Sequence, residues 1–346
     1  MKQIHGGDVY RHKNVIDFSA NTNPFGPPEG VVKAAQKSIE RMEHYPDVFC
    51  SELTEALSEY EMIPKEWLLC GNGAADLIFR VVQALQPKKA LIQAPAFAEY
   101  EQALQSAKCE IQYYDTSIEQ KFSVTEEILE RITEDIDIIF LCNPNNPTGM
   151  LIEGALLERI CERCKEQEVL FVLDECFLDF VAEGESLSMK PLLESNPYLF
   201  ILRAFTKRYA MAGLRLGYSM TSNQELQESM RTIAQPWSVS TPAQAAGVAA
   251  LKEEEYVKST MAKIIPERVR LQDKMRLSGL QVFDSKANYI FFRGPKDLYE
   301  NCLNRGILIR DCSNYRGLEK GYYRIAVRKP EENDIFLRTI QEIVGR

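Results

Sequence analysis

Three short, strongly apolar runs, at residues 136–142, 169–173 and 198–202, constrain the architecture more than any other feature of the chain. They are too short for packed helices and apolar on both sides, the pattern of strands buried in the middle of a sheet. Charged segments of helical periodicity separate them, such as 153–167. The alternation begins earlier, where Trp67-Leu68-Leu69-Cys70 runs into Gly71-Asn72-Gly73 and a helix from Ala74. Residues 90–93 predict another strand ending at Pro95, and 216–220 one more. Strands buried on both faces and joined through helices form a mainly parallel sheet covered on both sides, an α/β fold.

At 346 residues the chain exceeds what one core usually holds, so a large and a small domain are expected. An Asn-, Pro- and Gly-rich segment, 1–30, is expected to pack across the domain junction. Its end carries a predicted helix over 29–42, entered through Pro27-Pro28, with Val31, Val32, Ala35 and Ile39 on one side. The large domain is expected over 31–242. From 243 to 346 the pattern changes to a long charged helical region, to about 276, followed by shorter strands near 281–293 and 321–328 with helices around them. This predicts a smaller α+β domain.

A formal net charge of −9 argues against non-specific nucleic-acid binding and against an anionic membrane surface, while leaving room for a local basic pocket. No apolar run approaches the ~18 residues of a spanning helix. Nine irregularly spaced cysteines read as reduced thiols, and the Met1-Lys2-Gln3-Ile4-His5 start has no apolar leader, so a cytoplasmic location is expected. Cys161 and Cys164 match C-x-x-C but lie in a charged helical stretch without a second pair; no metal site is expected.

In sheets of this kind, ligands bind beyond the carboxyl ends of the strands. Asn72, Phe97, Asn146, Asp174 and Lys207 all follow predicted strands and should gather at one edge. Lys207, at the end of a buried strand, suits an amine that loses its charge and forms a Schiff base. Gly71-Asn72-Gly73 reads either as a tight turn or as a phosphate-binding entry to a helix. Asp76 stands where a third glycine or alanine would complete a dinucleotide fingerprint, which speaks against that fold.

The run Asn143-Pro144-Asn145-Asn146-Pro147-Thr148-Gly149 resembles a segment of fold-type I pyridoxal-phosphate (PLP) enzymes of the aminotransferase class I/II family. Leu173-Asp174-Glu175-Cys176-Phe177 resembles that family's strand-end aspartate. Lys207 with Arg215 eight residues later resembles its Schiff-base lysine and phosphate-binding arginine. The resemblance implies a type I PLP-transferase fold with a seven-stranded sheet. It also implies that Asp174 sits beside the pyridine nitrogen and keeps it protonated, since an opposite charge favours the charged form. It gives Asn146 to the ring oxygen O3′, Phe97 to stacking on the ring, and Arg215, Thr206 and the amides of Gly73, Ala74 and Ala75 to the phosphate. His44-Tyr45-Pro46-Asp47 resembles a segment whose tyrosine reaches the neighbouring subunit's cofactor, implying a homodimer. Ala204 departs from the Ser or Thr usual three residues before the lysine and would remove a hydroxyl from the phosphate cup. Ala204→Ser should then tighten PLP binding in a titration.

Within the family the chain resembles the threonine-phosphate decarboxylase branch, which acts in cobalamin side-chain synthesis, more than the histidinol-phosphate aminotransferase branch. The resemblance is carried by His5-Gly6-Gly7-Asp8, Asp17-Phe18-Ser19-Ala20-Asn21-Thr22-Asn23-Pro24, Pro236-Trp237-Ser238-Val239, Ile309-Arg310-Asp311-Cys312-Ser313-Asn314-Tyr315 and Tyr322-Tyr323-Arg324. Phe177 stands where aminotransferases have a tyrosine. The resemblance implies that His5, Gly6, Asn21, Asn146, Arg310 and Arg324 bind a small phosphorylated amino acid. Guanidinium groups grip carboxylate or phosphate bidentately, and Arg310, Arg324 and Arg328 lie close in one predicted β segment. A sensor of the same fold without turnover would need an added DNA-binding segment, and no helix-turn-helix precedes the fold here.

Overall fold

The computed structural model describes residues 5–182 and 184–345. Its strands, in chain order, are β1 (Ile16–Asp17), β2 (Leu68–Gly71), β3 (Lys89–Ala94), β4 (Glu110–Asp115), β5 (Ile138–Cys142), β6 (Leu170–Asp174), β7 (Leu199–Ala204), β8 (Gly217–Met220), β9 (Gln281–Val282), β10 (Tyr289–Arg293), β11 (Ile307–Leu308), β12 (Arg310–Asp311) and β13 (Tyr322–Ala326). Seven of them form one sheet in the order β2-β8-β7-β6-β5-β3-β4. β8 runs antiparallel to both of its neighbours, and the pairs from β7 through β4 are parallel.

The three apolar runs are the central strands, and every residue of β5, β6 and β7 is buried. Alternate side chains serve opposite layers, as the two-residue period of a strand requires. Ile139, Leu141, Phe171, Leu173, Leu199 and Ile201 pack into one core. Ile138, Phe140, Leu170, Val172, Phe200 and Leu202 pack into the other, under the helix Ala74–Leu85.

Several elements differ from the sequence expectation. β4 was not anticipated, because it is a half-buried edge strand whose sequence, Glu110 to Asp115, lacks an apolar run. β7 extends past the apolar stretch through Arg203, whose charge is met by Glu61, Glu175 and Glu185. The helix expected over 29–42 is α-helical only over Glu29–Ser38 and continues as a short 3-10 turn. The long helical region is two helices, Thr241–Ala250 and Glu254–Leu277.

A separate four-stranded antiparallel sheet, β12-β13-β10-β9, packs against Glu254–Leu277 and Pro330–Val344 through a second apolar cluster. The N-terminal segment touches both parts. β1 pairs in parallel with β11, Phe18 packs on Phe336 at 5.1 Å, and the Asn23 amide donates to the Lys207 carbonyl at 2.9 Å. Among the described residues no helix is long and apolar enough to cross a membrane.

Candidate active site

The carboxyl ends of the parallel strands open onto one edge of the sheet, and the polar residues that end them meet there. β6 ends at Asp174, 5% exposed, with a carboxylate held from two sides. The Tyr100 hydroxyl donates to its Oδ2 at 2.6 Å and the Cys176 amide to its Oδ1 at 2.9 Å. Burial, and then the Asp174 charge, push the Tyr100 phenol well above its ordinary pKa, so it remains a donor. Among the described residues no lysine or arginine forms an ion pair with Asp174, whose side-chain partners are a phenol and a backbone amide.

β7 turns directly into the short helix Phe205–Arg208, which carries Thr206 and Lys207. The Lys207 amine lies 5.5 Å from the centre of the Phe177 ring. Desolvation, reinforced by Arg324 and Arg215, lowers its pKa to about 8, with Cys176 and Asp174 opposing. A lysine so placed has a substantial neutral fraction near physiological pH, which an amine nucleophile needs.

Opposite it, β2 runs through Gly71-Asn72-Gly73 into the helix Ala74–Leu85. No side chain caps that helix, so the Ala74 and Ala75 amides at its N-terminus are placed as an anion would need them. The Gly73 amide is not free, since it donates to the Gly71 carbonyl at 2.7 Å. Gly73 serves by its missing side chain: it has a φ of +83°, and a Cβ there would sit 2.5 Å from Arg215 Nη2. Arg215 itself has a φ of 57°, in the left-handed region that an arginine rarely adopts. Gly217 leaves room in the same way, because a Cβ would lie 2.6 Å from the Ala74 nitrogen. Ala204 pairs with Gly217 across β7 and β8, which brings it to the border of this cup. The negative Asp76 in the first turn is neutralised by Arg80 Nη2 at 2.5 Å, which also donates to Ser238.

A second group of buried polar residues comes from the small sheet and the N-terminal segment. Arg310 and Arg324 face each other in the β12–β13 register, 5% and 6% exposed. Neither forms an ion pair with a carboxylate among the described residues, whereas Arg328 pairs with Glu332. Arg310 donates to the Asp311 carbonyl at 2.5 Å and to Asn314 Oδ1 at 2.8 Å. Arg324 donates to Asn146 Oδ1 and to the Ser19 carbonyl, and its buried Nε has no partner. Asn146 therefore bridges the cofactor side and the arginine pair. Asn21 is buried with an unpartnered Oδ1. Gly6 lies so close to the Ser19 carbonyl that no Cβ fits. A cavity of about 160 Å³ beside these groups is lined by His5, Ser19, Arg310 and Asn314 among others.

Tyr45 does not join this constellation within one chain. It is 77% exposed and stacks on Trp237 at 4.4 Å. Phe97 precedes the helix Ala98–Ser106 as its cap and meets Tyr100 edge-on at 5.7 Å. Cys161 and Cys164 are buried in apolar core. Sequence reasoning missed Tyr100, Glu99, Asp76 and Arg80. The signal for Tyr100 was its position three residues after Phe97 at the start of one helix, which turns both toward the same strand ends.

Taken as chemistry, the donor set fits pyridoxal phosphate. It offers a buried carboxylate for a ring N–H⁺, an amine for an aldehyde, and free helix amides with an arginine for a phosphate. The model of the family described as aminotransferase class I and II matches residues 13–340. A threonine-phosphate decarboxylase of Salmonella typhimurium is 38% identical, the alignment covering 98% of this chain and 96% of that one. The crystal structure of a histidinol-phosphate aminotransferase from Clostridium acetobutylicum superposes with a TM-score of 0.89 at 28% identity, over 95% of this chain and 98% of that one. That of L-threonine-O-3-phosphate decarboxylase from Porphyromonas gingivalis superposes with a TM-score of 0.83 at 25% identity, over 95% and 99%.

Proposed function

Since the chain belongs to the aminotransferase class I and II family of PLP-dependent enzymes, we propose that it decarboxylates L-threonine O-3-phosphate to (R)-1-amino-2-propanol O-2-phosphate and CO2, a step of cobalamin side-chain synthesis. The observation that carries this reading is the pair Arg310 and Arg324, buried and without carboxylate partners among the described residues. Two such cations suit a small molecule bearing both a carboxylate and a phosphate. The similarity to threonine-phosphate decarboxylase over nearly the whole chain supports the same reading.

When bound, PLP supplies an aldehyde carbon for amines and a protonated ring that accepts the electron pair of a breaking bond at Cα. Lys207 would hold the cofactor through its amine. Asp174, fixed by Tyr100 and the Cys176 amide, would stand by the ring nitrogen and favour its protonated form. Thr206, Arg215 and the turn Gly73-Ala74-Ala75 would hold the phosphate, Phe97 would flank the ring, and Asn146 would take the ring oxygen O3′. His5, Gly6, Asn21, Asn146, Arg310 and Arg324 would bind the substrate and set which of its bonds at Cα is placed to break. Phe177 presents the face of its ring to Lys207 and meets Tyr289 edge-on, where a tyrosine would add a hydroxyl.

Tyr45 completes the partner's phosphate site in a homodimer. Its exposed stack with Trp237 lies beside exposed Val48 and Phe49, an apolar face fit for a second copy. Sedimentation at working concentration gives a dimer on this reading, and a monomer refutes it. The enzyme works in the cytoplasm, where its nine buried thiols stay reduced.

The second reading is an aminotransferase acting on histidinol phosphate, favoured by the Clostridium acetobutylicum structure's likeness in shape. Incubation with O-phosphothreonine distinguishes the two. CO2 release without added keto acid supports the decarboxylase, and keto-acid-dependent amino transfer without CO2 overturns it. O-phosphoserine belongs in the same assay, because one methyl group discriminates by only about 10–200-fold.

A further inference from the structure

Decarboxylation replaces one bond at Cα by another. The C–COO⁻ bond breaks, its electron pair enters the cofactor ring, CO2 leaves, and a proton must then form the new C–H bond. Each turnover takes up one proton, and a closed site needs a group to deliver it. Glu99 occupies the position such a group requires. It lies two residues after Phe97 and one before Tyr100, in the first turn of Ala98–Ser106, so it shares the helix end that faces the strand ends. Its side chain is 14% exposed. Oε1 sits 3.5 Å from Nδ1 of His5, whose own side chain is 53% exposed, and Oε2 is buried with no hydrogen-bond partner. The charges acting on this carboxyl are His5 from the N-terminal segment, Lys207 from the turn after β7 and Arg310 from β12. Glu99 thus feels the Lys207 and Arg310 charges and touches a half-exposed His5.

Resting on the decarboxylase reading, we infer that Glu99 donates the proton that replaces CO2 on Cα and that His5 returns it from solvent. Oε2–H gives its proton to the carbon, leaving Glu99 ionised. His5 then passes a proton to the carboxylate through the Nδ1–Oε1 contact and takes one from water. Burial pushes the Glu99 carboxyl above its ordinary range, against the pull of His5, Lys207 and Arg310, so it holds its proton to higher pH than an exposed glutamate does. No other orphaned carboxyl oxygen is buried among the described residues.

The variant Glu99→Gln keeps shape and loses the proton. General acids contribute roughly 10²–10⁴-fold, so kcat should fall by at least about 100-fold with little change in KM. The wild-type kcat should decline as pH rises through the Glu99 pKa, Glu99→Gln should lack that limb, and Glu99→Asp should retain it at lower kcat. With the donor gone, a larger share of turnovers should protonate the cofactor carbon instead, and hydrolysis then releases an aldehyde, since Cα keeps its own hydrogen, and leaves the cofactor aminated. The aldehyde-to-amine product ratio of Glu99→Gln should therefore rise. Independently of turnover, infrared titration of the cofactor-free protein should show a protonated-carboxyl band that persists above the range in which exposed glutamates ionise and that disappears in Glu99→Gln. If wild type releases CO2 and Glu99→Gln matches it in kcat, pH limb and product ratio, the proton comes from Lys207 or water and the inference falls. If wild type releases no CO2, the proposed function falls and takes this inference with it.

Discussion

At the scale of single residues, the chemistry rests on charges that the fold leaves uncompensated. Lys207 shows the trade. Its pKa is lowered to about 8 from an ordinary 10.5, chiefly by desolvation. Between those values the unfolded chain binds more protons than the folded one, so this group's contribution to stability rises with pH across that window. Below about 8 both states are protonated and the full cost of burying the charge remains. In exchange, the neutral amine becomes available at lower pH. The expected outcome is that the rate at which cofactor-free protein captures PLP, followed by absorbance, falls about tenfold per pH unit below pH ~8 and levels off above it. A rate that keeps rising about tenfold per pH unit through pH 9 without levelling would show that Lys207 is not desolvated. The identity of Lys207 was legible in the sequence, because a lysine ending an apolar strand is out of place unless it reacts. Glu99 was not legible, since a lone glutamate in an amphipathic helix reads as solvated surface. Only its burial and the nearness of His5 mark it.

At the scale of elements, the site depends on how closely backbones approach at the ends of β2, β7 and β8. Gly217 in β8 faces Ala204 in β7 and leaves its absent side chain to the Ala74 amide. An alanine there would place Cβ 2.6 Å from the Ala74 nitrogen and 3.1 Å from the Arg203 carbonyl. Both contacts are backbone and cannot rotate away. Gly217→Ala should push the helix Ala74–Leu85 off its phosphate position, weakening PLP binding at least about tenfold, or roughly 1.4 kcal/mol. Stability should fall by the 1–3 kcal/mol usual for overpacking. Equilibrium titration with PLP and chemical denaturation read the two effects separately. Unchanged affinity would mean the phosphate does not sit on that helix. The turn Gly71-Asn72-Gly73 was visible as an anion site or a plain turn, and its φ of +83° with the adjacent Arg215 shows what the glycine is for. β4 was invisible, since this half-buried edge strand carries no apolar run.

At the scale of the whole molecule, the site exists because three separate stretches converge: strand ends of the large sheet, β12–β13 of the small one, and the N-terminal segment pinned to both. The sequence announced the large sheet through its apolar runs and placed Arg310 and Arg324 in one β region. It could not reveal that both guanidinium groups would be buried without a carboxylate, because that depends on which acids the tertiary fold brings near. Replacing a whole buried ion pair by apolar side chains of similar volume is often neutral or stabilising, by about 1–4 kcal/mol, and a buried charge without a carboxylate partner carries the desolvation cost with no ion-pair energy to lose. Arg310→Met should therefore melt at a higher temperature than wild type while its KM for O-phosphothreonine rises by at least about 100-fold, the loss of a charge-assisted bidentate contact. Calorimetry with ligand separates function from packing. O-phosphothreonine should raise the melting temperature of wild type, since it binds only the folded state, and should leave Arg310→Met unmoved. A variant that is less stable and still shifted by the ligand would mean that Arg310 holds the β12–β13 corner together and that the substrate's anion is held elsewhere.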